Sequence, residues 1–323
     1  MNFSTKITIQ KSRNPIQYSS KIVSLGSCFA ENMSEKFEYF KFKNSVNPFG
    51  IIFNPVSIEN LLFRIVNDQK FTADDLFFHN ECWHCFEVHS VLNNIQKNEL
   101  LIHLNQILAD SKIQIQQATH CIITYGTSWV YKNKISNAVV ANCHKVPQNQ
   151  FDKEILSVET IEKSILNSIE LIAKINPNCH FIFTISPVRH LKDGFVENQR
   201  SKAYLITAIH RVLSDSIPKL KLENCSLNYF AAYEIIMDEL RDYRFYNDDM
   251  MHPSKLAINY IWEQFAQSSI HIDSLAIMDE IDVIQKSLLH KPFNSQSEIF
   301  EKFKENLQIK ITQIQEKLPE IKF

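Results

Sequence analysis

Short runs rich in β-branched and aromatic residues punctuate the chain, and between them apolar residues recur three and four positions apart. The runs 21–25, 119–125, 180–186 and 225–231 predict buried strands, with a weaker candidate over 45–53. Over 157–175, Val158, Ile161, Ile165, Ile169 and Ile172 fall at helical spacing. Ser157 stands where a cap is needed, and Asn176-Pro177-Asn178 stops the run. The stretches 201–214 and 254–265 read as further helices, the second opening just after His252-Pro253. Strand and helix alternate, which predicts a parallel sheet covered on both faces.

Beyond about residue 270 the pattern changes to two charged, amphipathic helical stretches separated near Pro292-Phe293-Asn294-Ser295. In the second, Phe300, Phe303, Leu307, Ile311, Ile314 and Leu318 form a stripe. The expected organisation is a domain over 1–270 and a helical appendage over 271–323. The stripe packs on its own domain or pairs two copies as a homodimer. The segment 67–118 is less regular and aromatic-rich, which predicts an insertion that walls or lids a pocket.

Composition narrows the function classes. With 45% hydrophobic and 22% charged residues the chain is globular, and a formal charge of -2 offers no basic excess for nucleic acid. No apolar run approaches the roughly 18 residues of a membrane span. The stretch Met1 to Ile7 lacks the apolar core of a secretory signal, so the expectation is a cytoplasmic protein. Seven scattered cysteines suit reduced thiols better than a disulfide framework.

Only four glycines occur, and Gly26, Gly50 and Gly126 sit where an apolar run breaks into a turn. Parallel sheets bind ligands beyond the carboxyl ends of their strands. Attention therefore falls on Gly26-Ser27, Asn47-Pro48-Phe49-Gly50, Gly126-Thr127-Ser128-Trp129 and Pro187-Val188-Arg189-His190. Ser27 is a poor nucleophile until a base takes its proton. Asp249 and His252 supply one: an Asp three residues before a His on one loop can hold the imidazole Nδ1 and leave Nε2 for the serine. Asp248 is the rival carboxylate, and Cys28, at a predicted helix start, is the rival nucleophile.

Arg189 and His190 could bind an acidic or hydroxylated substrate, or Arg189 could pair with a structural carboxylate; His144 and Lys145 share that ambiguity. Cys82, His84, Cys85 and His89 resemble a zinc set, but four ligands within eight residues are denser than most structural sites. They read instead as an aromatic pocket wall. Neither metal nor cofactor is expected.

The chain resembles the GSCFA family, whose motif stands here as Gly26-Ser27-Cys28-Phe29-Ala30, within the wider SGNH or GDSL-like hydrolases. The similarity extends through Asn47 to Gly50, Gly126 to Tyr131, Asn142 to Pro147, Ser186 to His190, Tyr243 to Tyr246 and Asp249 to His252, about residues 20 to 265. The resemblance implies a three-layer α/β/α flavodoxin-like fold and a serine esterase or acyl hydrolase acting on an ester of a small molecule or saccharide. Ser27 would attack, His252 move the proton and Asp249 orient His252, with the amides of Ser27 and Gly50 stabilising the oxyanion. Ser128 stands where these hydrolases usually carry an asparagine donor; its hydroxyl, or Asn47 or Asn54, would take that part. His144 would lie at the pocket. An acyltransferase using the same triad, and a non-catalytic binding module, are the alternatives.

Overall fold

The computed structural model describes residues 5–216, 224–294 and 296–323. Its centre is a parallel sheet of β1 (Lys21–Gly26), β2 (Lys43–Val46), β3 (His120–Tyr125), β4 (His180–Ile185) and β5 (Leu227–Phe230). The spatial order is β5-β4-β3-β1-β2, so chain order reverses between β1 and β3. That reversal opens a crevice at the carboxyl edge. Four of the expected strands lie where their apolar runs stand. The fifth, expected over 45–53, is confined to Lys43–Val46, and the remainder is a loop.

Alternation along the strands divides the core. Val23, Cys121, Ile123, Phe181, Phe183 and Ile185 face one side, packed with α2 (Pro55–Val66), α3 (Lys97–Gln117), α4 (Val158–Ile175) and α5 (Phe195–Arg211). Ile22, Ile122, Ile182 and Phe230 face the other, against α1 (Cys28–Tyr39), α6 (Lys255–Ser269), α7 (Ile272–Leu288) and α8 (Glu298–Lys317). Each face is therefore closed by helices, giving three layers.

Helix ends follow their local chemistry. Ser157 Oγ accepts from the Thr160 amide at 3.2 Å and Ser254 Oγ from the Ala257 amide at 3.4 Å, each satisfying one orphan donor. The helix expected at 201–214 begins earlier, at Phe195, directly after Gly194.

Within 67–118 the structure departs from the expected insertion. Leu76–His79 and Cys82–Cys85 form an antiparallel hairpin, but the later part is α3, whose Leu100, Leu104, Leu108 and Ile115 enter the main core. Arg64 of α2 anchors the hairpin region through both Glu87 carboxylate oxygens at 2.6 Å and Asp75 at 2.6 Å. The appendage also joins the core: Met278, Ile281, Ile284, Ile314 and Ile321 pack with Phe37, Phe42 and Trp262. Tyr39 OH donates to Asp282 at 3.0 Å across this contact.

Candidate functional site

The loop after β2 crosses the crevice and is bonded to both of its walls. The Asn47 amide donates to Ser24 O at 2.9 Å, the Ile52 amide to Gly26 O at 3.1 Å, and the Gly126 amide to Phe53 O at 2.8 Å. Gly26 turns β1 into α1 with φ +135°, and a Cβ there would lie 2.1 Å from Thr124 O. Only glycine fits so close to a neighbouring strand.

Ser27 caps α1. Its Oγ accepts from the Phe29 amide at 3.2 Å, its own amide donates to Thr124 O at 3.1 Å, and it is 2% exposed. No hydrogen bond joins Ser27 to His252. Cys28, next in the chain, lines with His252 a cleft of about 590 Å³ between α1, the Asp–His loop and α6. The sequence offers Cys28 as the rival nucleophile, and the structure puts it on the cleft wall. Burial and the nearby Glu31 push its thiol up, and Lys202 acts against them.

Asp249 and His252 meet as their spacing predicts. His252 Nδ1 lies 2.5 Å from Asp249 Oδ2, while Asp249 Oδ1 accepts the amides of Met251 and His252 at 2.9 Å each. Those amide bonds, with the ring contact, hold the Asp249 carboxyl down at about 2. The loop is steadied from β4's side, since the Arg189 amide donates to Met251 O at 3.1 Å.

The expected oxyanion donors are differently employed. The Gly50 amide, at φ +76°, already donates to Asn47 O at 2.7 Å. Ser128 is fully buried, and its Oγ donates to Ser201 O at 3.2 Å and its amide to Ser201 Oγ at 2.7 Å. A hydroxyl this short and this closely bonded to α5 is held away from the cleft. Asn54 caps α2, accepting from the Ser57 amide at 2.9 Å. Asn47 remains beside the turn: Oδ1 accepts from the Gly26 amide at 2.8 Å and Nδ2 donates to Glu31 at 3.3 Å.

Among the described residues no carboxylate forms an ion pair with Arg189. Its guanidinium lies 4.3 Å from the centre of the Tyr246 ring and 5.2 Å from that of Tyr243, a stacked arrangement that walls a separate cavity of about 190 Å³. His190 lies behind the crevice, 5.2 Å from Phe53 between ring centres. Burial, then Lys202 and His252, hold it down to about 3, so it is neutral. His144 belongs to an aromatic cluster with His84, Phe77 and Phe86, its Nε2 2.7 Å from Cys85 O. Among the described residues, no three His, Cys, Asp or Glu side chains form a metal-holding group.

A residue that sequence reasoning missed is Lys202 of α5. It is 1% exposed, and its Nζ donates to Gly126 O at 2.6 Å and Ser186 O at 2.7 Å, at the ends of β3 and β4. A lysine flanked by Ser201 and Ala203, on what looks like a helix surface, gives no sign of this in the sequence.

The model of the GSCFA family matches residues 21–265, about three quarters of the chain. The chain belongs to the GSCFA family. A second family description, GSCFA domain protein, C-terminal domain, matches residues 281–323, which include the end of α7 and all of α8. No curated protein matches. Among solved structures, a carbohydrate esterase family 3 from Talaromyces cellulolyticus is similar at 6% identity, covering 81% of this chain and 99% of that one, with a TM-score of 0.36. In this GSCFA protein the family match spans the Gly26–Ser27 turn, the crevice loop and the Asp–His loop together.

Proposed function

We propose that this GSCFA protein is an SGNH-type serine acyl hydrolase. The observation that supports it is the Asp249–His252 pair, fixed on a loop whose imidazole opens into the same cleft as the N-terminus of α1. In this reading Ser27 gives up its capping bond and donates to His252 Nε2 instead. Its Oγ then attacks the acyl carbon as His252 takes the proton, and Asp249 stabilises the imidazolium. His252 returns the proton to the departing alcohol, and water releases the acyl group from Ser27 by the same exchange. The start of α1 and Asn47 Nδ2 stabilise the oxyanion. Asn32, Asn247 and Asn259, with Glu31, Glu35, Lys36 and Lys255, line the cleft with polar groups, which suits a hydroxyl-rich alcohol such as a saccharide.

Labelling with a fluorophosphonate probe tests this without a known substrate. Wild-type protein is expected to label at Ser27, with Ser27→Ala abolishing the signal and His252→Ala strongly slowing it. The burial of Ser27 and its separation from His252 favour a second reading, a non-catalytic ligand-binding module. Absence of labelling in the folded wild type would select it.

A further inference from the structure

Arg189 and Arg241 share the cavity of about 190 Å³, and among the described residues no carboxylate forms an ion pair with either. Asp242 also lines that cavity, but its charge is already taken. Its Oδ1 accepts the Arg244 amide at 2.8 Å and lies 3.0 Å from Arg244 Nε, while Oδ2 accepts from Arg244 Nη2 at 3.0 Å. Asp242 and Arg244 cancel each other, which leaves two guanidinium charges uncompensated at one opening.

The walls are built rather than loose. Tyr246 is buried and bridges Pro253 in antiparallel fashion, and the Ser254 amide donates to Phe245 O at 2.8 Å. The Arg189 amide is bonded to Met251 O, so the wall and the Asp–His loop brace each other. Arg241 follows the π-helical turn Ile235–Leu240 in a left-handed conformation, φ +44°, its amide donating to Ile236 O at 3.1 Å. Both a π turn and a left-handed residue other than glycine are uncommon, and both collect at functional sites. The Arg189 guanidinium sits against the Tyr246 ring, and the polar groups acting on it are the hydroxyls of Tyr243 and Tyr246. Hydroxyls engage N–H groups but leave the charge uncancelled. Ile236 and Met237 give the cavity an apolar side.

We propose that this cavity binds a compact oxyanion, the carboxylate or phosphate of a small organic acid whose carbon frame lies along Met237 and the tyrosines. Arg189 offers a planar fork of N–H donors that matches two oxygens of such a group, and Arg241 adds a second positive charge. The site needs neither Ser27 nor His252, so it stands or falls apart from the serine reading.

Met237 is a reporter in the wall. Protein labelled with methyl-¹³C methionine is titrated with benzoate, with phenyl phosphate and, as a neutral control, with benzyl alcohol; Met237→Leu assigns the resonance. A saturable shift of the Met237 methyl is expected with at least one of the two anions. Its affinity is expected to fall at least about tenfold in Arg189→Gln and in Arg241→Gln, and Arg189→Lys to recover little of it, because an ammonium lacks the fork. Preference for benzoate supports a carboxylate ligand and preference for phenyl phosphate a phosphate. No saturable shift with either anion, benzyl alcohol binding as well as both, or an unchanged affinity in either folded glutamine variant overturns the proposal. Arg241 is exposed, so Arg241→Gln stays readable should Arg189→Gln fail to fold.

Discussion

Acidification to pH 5 is expected to cost this protein several kcal/mol of stability before most carboxylates are protonated. The cause is three buried histidines: burial first of all holds His120 and His144 down to about 4 and His190 to about 3. In the unfolded chain each takes a proton near pH 6.5. Their stabilising contribution is therefore fully present above about pH 6.5 and is lost as pH falls toward each folded value. At pH 5 the unfolded histidines are charged and the folded ones are not, which costs about 2 kcal/mol each, or about 6 kcal/mol if the three add. Domains of this kind are stable by about 5–15 kcal/mol, so the change is large. Urea unfolding followed by tryptophan fluorescence at pH 7 and pH 5 measures it. His120→Gln, which keeps an amide donor for Asn14 O, is expected to remove about a third of the difference. Equal stability at the two pH values would refute the argument.

Three substitutions test the site's framework. Gly26→Ala places a Cβ against Thr124 O at an unfavourable φ, and a loss of about 3 kcal/mol is expected in thermal unfolding; a parental melting temperature would contradict the geometry. Asp249→Asn frees His252 from its partner while both side chains are partly solvent-exposed, so Ser27 labelling is expected to fall at least about 100-fold with stability nearly unchanged; equal labelling rates count against the pair. Ser201→Ala removes the partner of the Ser128 amide and the Thr127 and Ser128 hydroxyls, and about 1–3 kcal/mol of stability should go with it; a neutral result in denaturant titration would mean that water replaces the hydroxyl.

The sheet and the Asp–His pair were legible because each is written locally. A buried strand is a run of apolar residues, and the Asp249–His252 contact spans one loop. What sequence did not disclose depends on meetings between distant segments. Ser128 looked like a replacement donor until Ser201, from another helix, took up its hydrogen bonds. Gly50 looked like an oxyanion amide, but its N–H closes the turn begun by Asn47. α3 was hidden because its buried stripe of Leu100, Leu104, Leu108 and Ile115 is diluted by polar neighbours. Lys202 left no local mark, since burial of a lysine is a property of what packs around it.

The N-terminal segment is fastened to the end of α6, with the Ile16 amide donating to Ser269 O at 2.8 Å and the His271 amide to Ile16 O at 2.9 Å. Beside that seam, Phe37 is covered by Trp262 and Phe265, with Phe42, Ile281 and Ile314 in the same cluster. A chain emerging from a ribosome thus makes the helix behind Ser27 long before its cover. Until then that apolar face stays open, and folding waits on contacts between segments distant in sequence, a slow and aggregation-exposed route. Ribosome-stalled chains ending before α6 are therefore expected to engage holding chaperones and to leave Ser27 silent toward the probe.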